Sequence, residues 1–143
     1  MCLVALAWKS HPRWRLLLAG NRDEFHDRPT AALARWPGER AILAGRDLQS
    51  GGTWAGIADD GRCAVVTNVR DPLAGADAAM SRGALPVDFL AGALDADAHG
   101  RRLLSGSTQY APYNLLLVDA DSCEYVGNTP VEHRAIAPGI HGM

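Results

Sequence analysis

The residue best suited to chemistry in this sequence is Cys2, which directly follows the initiator methionine. If Met1 is removed, Cys2 carries both a thiol and a free α-amino group, so one residue supplies a nucleophile and the base that accepts its proton. An α-amino group has a pKa of about 7.7–8.0, against about 10.4 for a lysine amine, and is therefore the better base at neutral pH. The alternative is that Cys2 is a small buried apolar residue, as free cysteine often is.

A dense polar cluster, Asn21-Arg22-Asp23-Glu24, follows the second apolar segment of the chain, and His26 lies just beyond it. A guanidinium and carboxylates beside a thiol and an amine can shift the pKa values of both groups through opposite charges. The alternative interpretation is a solvated strand exit with ordinary surface ion pairs.

Two further clusters have residue types that bind ligands. Asn68 ends an apolar segment, where its amide could donate to a developing oxyanion or, equally well, form an Asx turn. The segment before Trp54 offers Arg46 for an anionic group, the exposed backbone of Gly51 and Gly52, and Trp54 itself as an aromatic wall. A β-bulge with a core tryptophan is the alternative there.

The three cysteines and five histidines have no metal-ligand spacing. Cys2, Cys63 and Cys123 are widely separated, and no C-x-x-C or C-x-x-C-H motif occurs, so we expect no metal site and no covalently attached haem. An odd number of scattered cysteines favours a reducing, cytoplasmic location.

Length and composition indicate one globular domain over residues 1–143. Hydrophobic residues make up 48% of the chain and charged residues 21%, as in ordinary folded proteins. The net charge of −2 offers no electrostatic basis for binding nucleic acid or an anionic membrane surface. Apolar runs reach about seven residues where a membrane span needs about twenty, so no membrane span is expected.

The elements that must position these residues are mainly strands. Cys2–Trp8 and Arg15–Asn21 are predicted to pair as a hairpin, and apolar residues on both faces of the first predict a layer above and a layer below it. Cys2 would then lie at the end of a rigid strand. Further predicted strands are Ala41–Gly45, Thr53–Ala58, Cys63–Asn68, Tyr113–Asp119 and Glu124–Gly127.

A helical pattern runs from Leu85 to Leu104, and the segment Asp95–Gly100 is expected to divide it into two short helices. Leu85, Phe89, Leu90 and Leu94 are spaced to share its buried face, and Asp71–Gly83 is expected to be a loop. Strands, then helices, then strands predict an α+β layered fold with antiparallel sheets rather than an alternating parallel one.

The polar clusters occur in one order that resembles the NRDE family, also called the transport and Golgi organisation family, from Met1 to the end of the chain. The matching segments are Met1-Cys2-Leu3, Asn21-Arg22-Asp23-Glu24-Phe25, Arg28-Pro29-Thr30, Ala44-Gly45-Arg46-Asp47, Gly51-Gly52-Thr53-Trp54, Thr67-Asn68 with Arg70-Asp71, and Ser81-Arg82-Gly83. The tetrapeptide Asn21–Glu24 is the one that names the family.

The resemblance implies an αββα sandwich with antiparallel sheets, because the family is similar to N-terminal nucleophile hydrolases such as penicillin V acylase. It implies Cys2 as nucleophile, Arg22 and Asp23 beside it, and Asn68 in an oxyanion hole. The remaining candidate ligand-binding residues are Asn21, Glu24, Arg46 and Trp54. Which role Arg22, Asp23 and Glu24 each take stays open.

Three functions follow from the resemblance. Eukaryotic members are associated with secretory-pathway organisation and with moving haem, so the leading expectation is a cleft that binds a small amphipathic metabolite, with haem as a candidate cargo. The alternative is an amidase that attacks a C–N bond through Cys2. The third is a shortened, non-functional relative.

Members of the family are typically longer than this chain, so we expect an incomplete sandwich. A strand ending near Ile140 would then have an unpaired edge and an exposed apolar face. Such a chain is expected to be marginally stable or to self-associate, and to have weak amidase activity at most.

Overall fold

The computed structural model describes residues 2–38, 40–69 and 78–143. These residues form the strands β1 (Leu3–Trp8), β2 (Leu16–Asn21), β3 (Thr30–Trp36), β4 (Ile42–Asp47), β5 (Ala55–Ala58), β6 (Cys63–Asn68), β7 (Tyr113–Val118), β8 (Cys123–Asn128), β9 (Val131–Ala135) and β10 (Gly139–Gly142), and the helices α1 (Ala84–Ala91) and α2 (Ala96–Leu104).

The strands form two antiparallel sheets. The small sheet has the order β10-β1-β2, and the large sheet runs from β3 to β9 in chain order. Every neighbouring pair is antiparallel. The α+β class with antiparallel sheets, expected from the order of the elements, is confirmed.

The large sheet is the middle of three layers. Leu115 and Leu117 of β7 pack towards the helices with Phe89 of α1, whereas Leu116 and Val118 pack towards the small sheet. Alternate residues of a strand point to opposite faces, so a strand covered on both sides is apolar at every position. The continuous run of apolar residues in β7 therefore follows from its central place.

The small sheet is covered on one face only, so the expectation of a layer on each side of β1 is wrong for the described residues. Val4, Leu6 and Trp8 are buried between the sheets, but Leu3 on the opposite face is 58% exposed. Ile140, in the edge strand β10, is 82% exposed. The unpaired edge and bare apolar face expected near Ile140 are present.

Two strands were not predicted, namely β3 and β9, whereas β10 was expected only as a strand ending near Ile140. The first two are the edges of the large sheet, and β10 is an edge of the small one. Edge strands bury little, so their sequences lack a strong apolar alternation. The alanine-rich β3 and the polar β9 show this weak pattern.

The helical region is interrupted as far as Asp95, but the predicted interruption over the rest of Asp95–Gly100 is wrong, because those residues are helical. The Asp95 side chain caps α2 by accepting a 2.7 Å hydrogen bond from the Ala98 amide, so the helix starts at Ala96 and includes Gly100. Leu94 lies between the helices, 39% exposed, rather than on their shared face. Of the predicted loop Asp71–Gly83, residues 71–77 lie outside the described part of the chain.

Among the described residues, no helix has the length and hydropathy needed to cross a membrane.

Candidate functional site

Cys2 lies at the open end of the β1–β2 hairpin, beside the polar cluster that leaves β2. Leu3 of β1 pairs with Asn21 of β2, which sets the register, and the Leu3 amide donates to Asn21 Oδ1 at 3.0 Å. Asn21 Nδ2 in turn donates to Asp23 Oδ1 at 2.9 Å. The hairpin therefore places residues 21–24 next to Cys2, as the sequence predicted.

The Cys2 sulfur contacts the backbone of Asp23. The Asp23 amide donates to Sγ at 3.4 Å, and Sγ lies 4.0 Å from the Asp23 carbonyl oxygen, to which the thiol donates. These two backbone contacts hold the sulfur in place beside the start of the polar cluster.

A polar cleft of about 110 Å³ opens beside Cys2. Its charged and polar lining comes from the three clusters predicted in the sequence and from the segment before α1: Arg22, Asp23, Glu24, Arg28, Asp47, Thr53, Asn68, Ser81 and Arg82. Glu24 pairs with Arg22 at 3.4 Å and with Arg28 at 3.7 Å, and Arg28 pairs with Asp47 at 2.6 Å. This chain of ion pairs forms one wall of the cleft.

Asp47 anchors that wall. Burial acts to raise the pKa of its carboxyl, but hydrogen bonds from Arg28, from the Ser50 side chain and from the Gln49 and Ser50 amides outweigh burial and lower it to about 2. The same hydrogen bond with Asp47 raises the pKa of Arg28. Asp47 is therefore ionised at all ordinary pH values and holds Arg28 in place.

Arg82 lines the same cleft but was not among the predicted site residues. Its Nη1 donates to the Pro112 carbonyl at 3.0 Å, and burial lowers its pKa. The adjoining Gly83 carbonyl accepts from the Thr53 amide at 3.0 Å, and a Cβ on Gly52 would lie 2.4 Å from Gly83. Glycine at position 52 therefore lets this segment approach closely. In the sequence, the Ser81-Arg82-Gly83 motif could have pointed to Arg82 as a site residue.

Trp54 forms the aromatic wall that was predicted. The Arg22 guanidinium carbon lies 4.3 Å from the centre of its ring, a cation–π contact. The indole also packs on Gly45, where a Cβ would lie 2.7 Å from the ring. Arg22 and Trp54 thus hold each other at the mouth of the cleft.

Two residues singled out in the sequence do not reach the cleft. Arg46 lies over the Trp36 ring at 4.8 Å and donates to the Gly51 carbonyl at 3.3 Å, so its predicted role in ligand binding is not supported by its position. Its place on β4 directs it away from Cys2, while the next residue, Asp47, faces the cleft. His26 is exposed and is not part of the lining.

Asn68, at the end of β6, does line the cleft. Within the described residues its side-chain amide makes no hydrogen bond, so it can donate to a ligand. Arg70 and Asp71, which belong to the same motif, lie outside those residues.

A second, mostly apolar pocket of about 130 Å³ adjoins the polar cleft. It lies between the two sheets, and its apolar lining includes Val4, Leu18, Ala55, Val65 and Val66. Cys2, Arg22, Trp54 and Val66 line both cavities. Cys2 therefore lies where an apolar pocket meets a polar cleft.

The other two thiols belong to Cys63 and Cys123, and burial raises the pKa values of both. Burial raises the pKa of Cys63 to about 11 and that of Cys123, which also lies beside Glu124, to about 12. Both remain protonated at neutral pH and lie in or against the core between the sheets.

Comparison with known proteins gives a consistent picture. The family model described as Transport and Golgi organisation 2 matches residues 1–143. The Transport and Golgi organization protein 2 homolog of Bos taurus is 31% identical over 156 residues, which cover all of this chain and 56% of that protein. The Homo sapiens homolog is 30% identical with the same coverage. The chain thus spans about half the length of these relatives.

Among solved structures, penicillin V acylase from Agrobacterium tumefaciens matches with a TM-score of 0.49 and 13% identity, over 99% of this chain and 41% of that chain.

Proposed function

Since this chain belongs to the Transport and Golgi organisation 2 family, we propose that the cavities at Cys2 bind a small amphipathic molecule with an anionic group. The family match confirms the resemblance seen in the sequence. The observation that carries the proposal is the junction at Cys2, where an apolar pocket and a polar cleft share Cys2, Arg22 and Trp54. A ligand would place its apolar end between the sheets and its charged end in the cleft.

The charges in the cleft favour an anion. The carboxylates of Glu24 and Asp47 are already paired with Arg22 and Arg28. Arg82, in contrast, makes no salt bridge within the described residues, and the one hydrogen bond of its guanidinium there goes to a backbone carbonyl. A partly buried guanidinium with free donors binds carboxylate well. Arg82 is therefore the residue that we assign to the anionic group.

The volumes of the two cavities limit the size of the ligand. Cavities of about 110 and 130 Å³ are small against the roughly 300–1,000 Å³ typical of sites for drug-sized ligands. A cavity of about 150 Å³ holds benzene, so the apolar pocket suits one ring or a short acyl chain. Haem, the cargo that the sequence suggested, is much larger than either cavity, and this site does not favour it.

A second candidate function, amide hydrolysis at Cys2, has a specific observation in its favour. The Asp23 amide holds the Cys2 sulfur at 3.4 Å, and the Asn68 side-chain amide, which makes no hydrogen bond within the described residues, lines the same cleft. With Met1 removed, the α-amine of Cys2 would take the thiol proton, and the sulfur would attack the carbonyl carbon of the substrate amide. The C–N bond would then break as the α-ammonium group gives that proton to the nitrogen of the leaving amine. Water would then hydrolyse the thioester, releasing the acid and the thiol.

N-phenylacetylglycine combines the two parts that the cavities predict, one ring and one carboxylate. We expect it to bind the wild-type chain in isothermal titration and to bind Arg82→Gln at least about tenfold more weakly, since a charged hydrogen bond contributes about 1.5–3 kcal/mol. Arg13→Gln, an exposed change at the far end of the hairpin, is the matched control. Equal affinity in both variants would contradict the proposed site.

Turnover is measured separately, as glycine released from the same compound. Release by the wild type that Cys2→Ala abolishes supports the hydrolase. Binding without release supports a carrier, and haem titration of the same variants tests the larger cargo.

A further inference from the structure

Three potential metal ligands meet on the helix side of the large sheet, away from Cys2. Asp97 belongs to α2, Glu124 to β8 and His133 to β9. His133 Nε2 lies 3.1 Å from Glu124 Oε2 and 3.9 Å from Asp97 Oδ1, and one donor atom from each residue lies within 4.8 Å of the other two. In the sheet register, His133 is opposite Val126, two residues from Glu124, so both side chains reach the same face.

Glu124 is the unusual member of this group. It is only 4% exposed, and the one hydrogen bond of its side chain within the described residues joins Oε2 to His133. Its other carboxylate oxygen has no hydrogen-bond partner there. A buried carboxylate is costly unless it is paired or bound to a metal, and it ordinarily accepts several hydrogen bonds. The second oxygen makes no hydrogen bond to these side chains, so it is free to bind a metal.

Gly100 of α2 lets the helix pack directly on His133. A Cβ at position 100 would lie 2.7 Å from Nε2 but also 2.9 Å from Cδ2 and 3.2 Å from Cε1 of the ring. Those nearly equal distances place Gly100 over the face of the ring, not in front of Nε2. Gly100 therefore does not occupy the in-plane lone-pair direction of Nε2, which is the direction in which imidazole binds a metal.

We propose that Asp97, Glu124 and His133 bind Zn²⁺ and thereby join α2 to β8 and β9. Nitrogen and carboxylate oxygen are both zinc ligands, at about 2.0–2.2 Å, so ligand atoms around tetrahedral zinc lie roughly 3.3–3.6 Å apart. The observed separations of 3.1 and 3.9 Å bracket that spacing. Water would complete the fourth position. Sequence reasoning did not find this set of ligands, because each ligand lies on a different element.

Asp97 must move furthest to reach the metal. It now pairs with Arg101, one helical turn away, through Nε and Nη2 at 2.9–3.1 Å. Arg101 is 70% exposed and Asp97 is 45% exposed, and ion pairs this exposed contribute little stability. Zinc binding would therefore release Arg101 to solvent at small cost.

The test is zinc titration by calorimetry, with every protein carrying Cys2→Ala so that the terminal cysteine does not chelate the metal. We expect one Zn²⁺ per chain, a rise in melting temperature, and at least about tenfold weaker binding in Glu124→Gln and in Asp97→Asn. Asp59→Asn, an exposed acid in the β5–β6 turn, should bind as the parent does. Arg101→Ala should bind zinc more tightly, because it removes the cation that competes for Asp97.

Co²⁺ gives a second readout, expected as visible d–d absorption without a thiolate charge-transfer band. Asp97 is partly exposed, so Asp97→Asn tests the site even if Glu124→Gln does not fold. The proposal is overturned if the parent binds no zinc, or if Asp97→Asn and Asp59→Asn bind it equally.

Discussion

The backbone amide of Asp23 donates to the sulfur of Cys2 at 3.4 Å across 21 positions of sequence. The contact exists because β1 and β2 pair from Leu3↔Asn21 onward, so the residues after β2 turn back over the start of β1. The candidate nucleophile is thus held by a hairpin whose other face packs on the large sheet. Its surroundings are set by the fold rather than by a mobile terminus.

Selective alkylation should distinguish Cys2 from the other thiols. Cys63 and Cys123 have pKa values raised to about 11 and 12, so at pH 8 they are almost entirely protonated, and Cys123 is buried. Iodoacetamide should therefore modify Cys2 much faster than either, as peptide mass spectrometry would show. Cys2→Ala should leave the chain unmodified on the same timescale. Comparable labelling of Cys63 would contradict this environment.

Processing of the first residue is tested by intact mass. Cysteine is small enough for aminopeptidase removal of a preceding methionine, so the mature chain should begin at Cys2. When residues 1–143 are expressed alone, the mass of the purified chain should equal that of residues 2–143. Full retention of Met1 would exclude the α-amine as the base for Cys2, although it would leave ligand binding untouched.

Burial of His99 should make stability fall between pH 6.5 and 4. Burial, with Arg102 and Arg62 nearby, lowers the pKa of His99 to about 4, so the unfolded chain takes up the proton first as pH falls. The stabilisation is complete above pH 6.5 and is lost towards pH 4, a change of about 3 kcal/mol. Denaturant unfolding at several pH values should show this loss. His99→Phe should flatten it, and exposed His26→Gln should not.

Ionisation of Asp47 should affect stability over a lower pH range than protonation of His99 does. Its pKa of about 2 lies below the ordinary 3.8, so its contribution is present above pH 3.8 and disappears towards pH 2. Asp47→Asn should lower the free energy of unfolding at pH 7 by about 2 kcal/mol, and the difference from wild type should shrink as pH falls. A constant difference down to the lowest pH at which the native state persists would assign it to packing instead.

The bare face of the small sheet should make the chain self-associate. Leu3, Leu17 and Ile140 are 58%, 43% and 82% exposed on its three strands. Exposed apolar sheet faces and open edges promote association. Ile140→Lys should therefore shift the chain towards monomer in sedimentation velocity. Leu48→Lys, at a similarly exposed leucine in a loop, should not. A monomeric wild type would refute the prediction.

Sequence reasoning succeeded where the pattern was local. The apolar runs at β1 and β2 predicted the hairpin, and the hairpin placed residues 21–24 beside Cys2. It failed where position depends on distant partners: Arg46 and Asp47 are adjacent in sequence, yet only Asp47 faces the cleft. Arg82 lines the same cleft as Cys2, in a segment whose close approach Gly52 allows. Haem as cargo and a cytoplasmic location stay predictions.

Protection of Cys2 from alkylation tests most directly whether ligand occupies the junction beside it. Saturating N-phenylacetylglycine should slow the reaction of iodoacetamide with Cys2 in the wild type and in Arg13→Gln. At the same concentration it should protect Arg82→Gln far less, because the carboxylate loses its guanidinium. Calorimetric binding without any slowing of Cys2 alkylation, or equal protection in Arg82→Gln, would show that the ligand lies elsewhere and would contradict the proposed site.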